Sequence, residues 1–221
     1  MSKSICKKFV VRAIGLVLLG VGASQAALID RGGGLIYDDV KNITWLQDTQ
    51  YARTSGYSAS GLLGWQEAQD FAQNLEYYDT ERGVTWSDWR LPTAVNSPQS
   101  AGYDPSGLSS ELAYMYYVNL GLSPVYLNGT KNAVIKNDLF ANLDGRGYWT
   151  GTAVKPDRTA WGFQFGYGLL ETGSVGSGVR AWLVRDGDVG LAPHGVPEPG
   201  TLALLALGLV GATIARRRKA D

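Results

Sequence analysis

Thr159-Ala160-Trp161-Gly162-Phe163-Gln164-Phe165 puts a large ring at every second position. Successive side chains of a β-strand point to opposite faces, so Trp161, Phe163 and Phe165 would share one buried face. Gly147-Tyr148-Trp149-Thr150-Gly151-Thr152 before it and Val179-Arg180-Ala181-Trp182-Leu183-Val184-Arg185 after it also read as strands, with Val179, Ala181 and Leu183 alternating. Working toward the N-terminus, Ser110 to Leu120 predicts a helix. Ser109 offers a cap, Glu111 an early acid, and Leu112, Met115, Tyr116 and Leu120 a buried stripe. Gly64 to Tyr77 predicts another, with Trp65, Ala68, Phe71, Ala72 and Leu75 at steps of three and four. Residues 51 to 63 read as a Gly/Ser/Tyr-rich loop. Gly34 to Asp38 and Ile43 to Leu46 are short strands around a turn at Asp39 to Asn42. Early strands, two helices and late strands indicate an α+β domain, two helices packed on a mainly antiparallel, twisted sheet.

All seven tryptophans and all twelve tyrosines fall between residues 28 and 190 of the 221. That ring-rich middle suits one packed domain, 27–190. The 20 basic and 20 acidic residues are unevenly spread. Eight basic and two acidic ones lie at the two ends, so 12 basic face 18 acidic between them. An acidic middle lacks the basic footprint of a nucleic-acid binder. The single cysteine, Cys6, lies within residues 1–26, and the single histidine, His194, in a Pro/Gly stretch. A disulfide, a thiolate metal site and a Ser-His-Asp triad in the domain are therefore not expected.

Residues 1–26 read as a signal peptide: a basic start, an apolar run from Ala13 to Val21, and small residues around Ala26. Gly187 to Val196 reads as a linker, and the segmentation places linker and motif at 191–199, a transmembrane helix at 200–215 and a basic cytoplasmic tail at 216–221. Pro197 and Pro199 keep the chain extended before the membrane. Gly200 to Ala215 would make about 24 Å of helix, short for a permanent span. The terminal basic block holds that end in the cytoplasm and places the domain outside.

Pro197-Glu198-Pro199, the apolar run, and Arg216-Arg217-Arg218 together resemble a PEP-CTERM sorting signal. The resemblance implies processing by an exosortase, a membrane-embedded protease-transpeptidase. It implies an exported protein, held in the inner membrane during sorting and then at the cell surface or outside the cell, in a bacterium that makes extracellular polysaccharide.

Trp45-Leu46-Gln47-Asp48, Trp65-Gln66-Glu67-Ala68, Asp88-Trp89-Arg90-Leu91-Pro92-Thr93, Tyr148-Trp149-Thr150 and Val179-Arg180 occur in that order. Together they resemble the Lcl domain, named after the C-terminal domain of a collagen-like adhesin. That likeness implies a C-type-lectin-like fold and a non-enzymatic binding role, for polysaccharide or in adhesion and biofilm. The Glu-Pro-Asn, Gln-Pro-Asp and Trp-Asn-Asp triplets of calcium-dependent sugar binders do not occur here.

In the Asp88 to Thr93 block, Trp89 and Leu91 are expected in the core, and Asp88 and Arg90 in ion pairs or backbone contacts. Arg180 and Arg185, either side of Trp182, are expected as surface or core-edge residues stacking on rings. No catalytic residue is assigned. The alternative to a binding module is an extracellular hydrolase using a carboxylate pair, for which no spacing selects the two acids. The candidate ligand surface is aromatic: Tyr51, Tyr57, Tyr77, Tyr78 and Trp86. No cofactor is expected. Asp138 and Asp144, in an oxygen-rich loop with Asn137 and Asn142, are weak calcium candidates beside the reading as a solvated turn.

Overall fold

The computed structural model describes residues 28–125, 137–155 and 157–190. The expected signal peptide, sorting motif, transmembrane helix and basic tail lie outside them. In chain order the strands are Leu28–Asp30 (β1), Leu35–Asp38 (β2), Ile43–Leu46 (β3), Tyr77–Asp79 (β4), Val84–Trp86 (β5), Gly147–Lys155 (β6), Thr159–Gln164 (β7), Leu169–Ser174 (β8) and Val184–Asp186 (β9). The helices are Tyr51–Thr54 (α1), Trp65–Gln73 (α2) and Glu111–Tyr114 (α3), which runs on as a π-turn over Met115–Asn119; Pro98–Ser100 makes a 3₁₀ turn.

The α+β reading holds, with antiparallel strand pairing throughout the named strands, but the expected sheet is three smaller ones. Their orders are β1-β2-β3-β9, β4-β5 and β6-β7-β8. The β2–β3 turn is made by Asp38, whose buried Oδ1 accepts from the amides of Val40 and Lys41 at 3.1 and 2.9 Å. All four residues of β3 are buried, because β2 and β9 flank it.

α2 buries Trp65, Ala68, Phe71 and Ala72, the predicted stripe, and Glu67 accepts from the Gly64 amide at its start. It stops at Gln73, short of the expected Tyr77. Asn74 turns its side-chain amide back to the Asp70 carbonyl at 2.8 Å, and Tyr77 begins β4 instead. α3 is capped by Ser110 Oγ, which accepts from the Ala113 amide at 2.9 Å. Its continuation is wider than α: the Leu120 amide reaches the Met115 carbonyl five residues back. That widening accompanies a bond from Asn119 Nδ2 to Asp38 Oδ2 at 2.6 Å, tying the helix end to the first sheet.

The core has two parts. One gathers Trp45, Tyr116, Tyr148, Trp161, Phe163, Phe165 and Trp182. The other lies under α2 and includes Trp65, Phe71, Trp89, Leu91 and Trp149. Rings meet edge-on or tilted: Trp45 and Trp182 at 4.6 Å, Tyr148 and Phe165 at 5.1 Å. Residues 179–183, expected as one strand, make only single bridges from Val179 to Leu63 and from Arg180 to Tyr148 before β9 begins. The segment threads between the two cores. Trp182 and Val184 enter the first, Ala181 and Leu183 the second, so its two-residue alternation is real although its sheet is not. The first four residues of the expected linker, Gly187 to Gly190, are docked on the domain: Gly187 bonds to Asn42, and Val189 is buried.

No helix among the described residues is long and apolar enough to cross a membrane; the one expected over 200–215 falls outside them.

Candidate ligand-binding clefts

The Asp88 to Thr93 block builds structure. Trp89 and Leu91 are 3% and 1% exposed, and the Trp89 indole donates to the Trp86 carbonyl at 2.9 Å. Arg185 meets Asp88 through Nε and Nη2, each at 2.8 Å. Hydrogen bonds from Arg185 are the main reason the Asp88 carboxyl stays below the usual carboxylate range. Arg90 bonds to both oxygens of Glu111, at 2.8 and 2.9 Å, and to Asp186 at 2.6 Å. Burial works against the charge on Arg90, but Glu111 and Asp186 outweigh it and raise its pKa. The block thus ties β9 and α3 together, with Arg90 bridging to Val184.

The predicted aromatic surface divides. Tyr51 meets Tyr77 edge-on at 5.4 Å, and Tyr77 meets Trp89 at 5.9 Å. The Tyr77 hydroxyl donates to the Gly33 carbonyl at 2.7 Å, and Tyr77 faces Trp86 across the β4–β5 hairpin. The Trp86 indole donates to Asp79 at 3.3 Å while the Arg185 guanidinium lies 4.3 Å over its ring. These three rings are engaged in packing. Tyr78, on the opposite face of the hairpin, is 61% exposed. Tyr57 is about half exposed, stands 4.7 Å from Phe71, and lines a shallow cleft of about 320 Å³ with Ser55, Gly56, Asn74 and Leu75.

Of the calcium candidates, Asp144 accepts from Arg180 Nη2 at 2.6 Å, so its charge is already matched by a buried cation. Asp138 is exposed. Asn142 donates to Asp48 at 2.9 Å, and Asn137 Oδ1 accepts from the amides of Leu139 and Phe140. Asn137 and Asp144 Oδ1 thus cap turns of the loop itself, while Asp144 Oδ2 pairs with Arg180. No group of three or more His, Cys, Asp or Glu side chains able to hold a metal ion occurs among the described residues. Beside this loop, burial raises the Tyr148 hydroxyl to about 12, keeping it a neutral partner of Thr49.

The largest of the four described clefts, about 400 Å³, is lined by none of the residues of the predicted aromatic surface. It is a cup in the Val95 to Ser109 loop. Ala94 bridges to Ser110, Gly102 exchanges both backbone bonds with Leu170 on β8, and Asn96 accepts from the Trp161 indole at 3.1 Å. Asp104 folds the far side, accepting from the Ser109 amide at 2.6 Å and from the amide and hydroxyl of Ser106. Burial pushes the Asp104 carboxyl up, but these bonds from Ser106 and Ser109 hold it below its ordinary value. Ser97, Gln99, Ser100, Ser106 and Ser109 line the cup, and Val95, Tyr103 and Leu108 stand at its rim, 53%, 40% and 72% exposed. Its signal in the sequence was compositional: Asn96-Ser97-Pro98 and Asp104-Pro105-Ser106-Gly107 are side-chain-capped turn chemistry.

The remaining two clefts share Gly147, Gln164 and Val179, where the β6-β7-β8 sheet meets the 177–179 segment. Glu171 lines one of them and Asp104 the cup, so no one of the four carries two acids.

A family model for the Lcl C-terminal domain matches residues 34–185, spanning β2 to β9 and every cleft above. The chain belongs to the Lcl C-terminal domain family. A second model, the PEP-CTERM protein-sorting motif, matches residues 195–219. That match covers Pro197, Glu198, Pro199, Arg216, Arg217 and Arg218, and marks this Lcl protein as exported through membrane-associated sorting to the cell surface, with exosortase as its processing partner. No curated protein and no solved structure matches the chain.

Proposed function

We propose that this Lcl domain is a non-enzymatic binding module that, once sorted to the surface, takes a polysaccharide chain in the Val95 to Ser109 cup. The lining carries the reading. A sugar offers hydroxyls at its rim and weakly apolar ring faces. The cup offers serine oxygens and the Gln99 amide nitrogen beneath, the Ser97 and Ser106 hydroxyls being turned to Gln99 Oε1 and Asp104, with Tyr103 and Leu108 exposed above. Tyr103 follows Gly102 and shares the lining with serines, a combination that gives contact area at low entropic cost. The four anchor points of the loop, on Ser110, Leu170, Trp161 and the Asp104 turn, hold the cup preformed, which favours binding without reordering. Export and sorting bring the domain to where matrix polysaccharide is found, so the same contact would serve adhesion and biofilm cohesion.

A C-type-lectin-like arrangement forms part of this proposal. It is supported by β9 returning from the end of the domain to pair with β3 near its start, closing a long excursion of chain. The hydrolase alternative is not favoured, because a pair of acids across one groove is what it needs.

The test is affinity electrophoresis of the processed protein through gels cast with its host's matrix polysaccharide, with calcium and with chelator. Retardation that Tyr103→Ala weakens supports the proposal. A protein that no host polysaccharide retards, in either buffer, overturns it.

A further inference from the structure

Gly187 to Gly190 are held on the domain by a clasp. Arg31 reaches Asp188 with Nε at 2.9 Å and with Nη2 on the second oxygen. Asp188 Oδ1 in turn accepts from the Gly190 amide at 2.9 Å, and Val189 between them is buried in the second core. Arg82 closes the other side. Its Nη2 donates to the carbonyls of Gly190, at 2.6 Å, and Arg31. Its Nη1 donates to Asp79 at 2.7 Å. Asp79 is fully buried and also accepts from the amides of Glu81 and Arg82 and from the Trp86 indole. One buried carboxylate thus fixes the arginine that holds Gly190.

Between Gly190 and Pro197 lie the six residues 191–196. Seven Cα-to-Cα steps span at most about 25 Å. A domain of this size has a radius of gyration of about 15 Å. The motif is therefore always within about one domain diameter of the folded surface. Freeing Gly187 to Gly190 would add four steps, about 14 Å.

We propose that the Arg31–Asp188 and Arg82–Gly190 clasp sets the length of tether on which exosortase takes this substrate. The clasp keeps the folded domain against the membrane face where the enzyme works, and the surface around Asp30–Gly33 and Glu81–Gly83 is the one turned toward that enzyme. The inference stands on the sorting motif and the clasp, and is independent of any ligand in the cup.

The experiment is pulse-chase of the full chain in its exosortase-bearing host, reading the ratio of processed to unprocessed protein. Deleting residues 191–194 should slow processing at least tenfold, because about 11 Å of tether then remains. A Gly-Ser-Gly-Ser insertion after Gly190 in the deleted chain should restore the rate. So should Arg82→Gln in the deleted chain, by at least threefold. Gly190→Pro is the second clasp variant: φ at Gly190 is +72°, which proline cannot adopt, and the bond to Asp188 is lost without touching Asp79. Protease resistance of the domain identifies which clasp variant stays folded and is to be read. Processing of the deleted chain at the normal rate overturns the proposal. So does rescue by the insertion but by neither clasp variant.

Discussion

Arg185 holds Asp88 by two parallel hydrogen bonds of 2.8 Å and lays its guanidinium 4.3 Å over the Trp86 ring. The pair joins the last strand to the Asp-Trp-Arg-Leu-Pro block across 97 residues of sequence. Lysine keeps the charge but neither the planar fork nor the stacking. Arg185→Lys is expected to cost about 1–2 kcal/mol, since the arginine is nearly buried while Asp88 is half exposed. For a domain of this size that is roughly 2–8 °C of Tm. An unchanged melting curve would show the contact to be ornamental.

Asp79 gives the acid limb of stability a specific source. Burial pushes its carboxyl upward, and the bonds from Arg82 and Trp86 bring it below its ordinary 3.8. A folded-state pKa lower than the unfolded one contributes stability that is present above the ordinary carboxylate range and lost as pH falls through the folded value. The transition thus falls below about pH 4. Asp79→Asn should lose about 3–5 kcal/mol at neutral pH. Its urea midpoint should also vary less than wild type between about pH 5 and pH 2. Asp88 and Asp104, lowered as well, leave part of the slope in place. Parallel curves for variant and wild type would remove Asp79 from the account.

Gly168 sits in the turn between β7 and β8 at φ +73°, and a Cβ there would lie 2.6 Å from the Tyr116 ring and 2.8 Å from the Tyr117 hydroxyl. Gly168→Ala combines a left-handed conformation with a clash against two buried rings, and should destabilise by about 2 kcal/mol or more. Chemical denaturation reads this directly. A neutral result would mean the turn reshapes freely.

The two aromatic clefts can be told apart. Tyr103→Ala and Leu108→Ser should each weaken polysaccharide binding about tenfold, about 1.4 kcal/mol, while the domain still unfolds cooperatively. Tyr57→Ser should leave binding within about twofold. The opposite ranking in gel retardation would move the site to the Tyr57 cleft.

Replacing Pro197-Glu198-Pro199 with alanines should leave the full-length protein in the inner membrane, visible by fractionation as a band of higher mass. Normal release of that variant would reduce the segment to a plain anchor.

Much of the fold was legible where one side chain did one job. Trp65, Ala68, Phe71 and Ala72 are buried by α2 as their spacing requires, and Trp161, Phe163 and Phe165 enter one core from alternate positions. Legibility failed where local pattern and tertiary setting part. Leu169–Ser174 carries Glu171, Gly173 and Ser174 and shows no apolar alternation, yet pairs along its full length with β7 because its outer face is solvent. Residues 51–54 look like loop but turn helically, and Ala52 is buried in the second core. In the candidate surface, Tyr51, Tyr77 and Trp86 resemble Tyr57 and Tyr78 in composition. Only three-dimensional neighbours such as Gly33, Asp79 and Arg185 reveal which rings are spoken for. The cup was invisible for a related reason: serines and glycines of a turn-rich loop carry no periodicity, and its walls close only when Gly102 meets Leu170.

The pairing of β9 with β3 has a consequence for the timing of biogenesis. A polypeptide threaded N-terminus first delivers β3 early, but its partner strand emerges some 140 residues later. The first sheet therefore waits, incomplete, for nearly the whole domain to cross. Once Asp186 has passed, only thirteen residues separate it from the apolar run that begins at Gly200. Closure of the fold and delivery of the sorting motif become neighbouring events, and a chain that stalls between them would present an unfinished sheet edge.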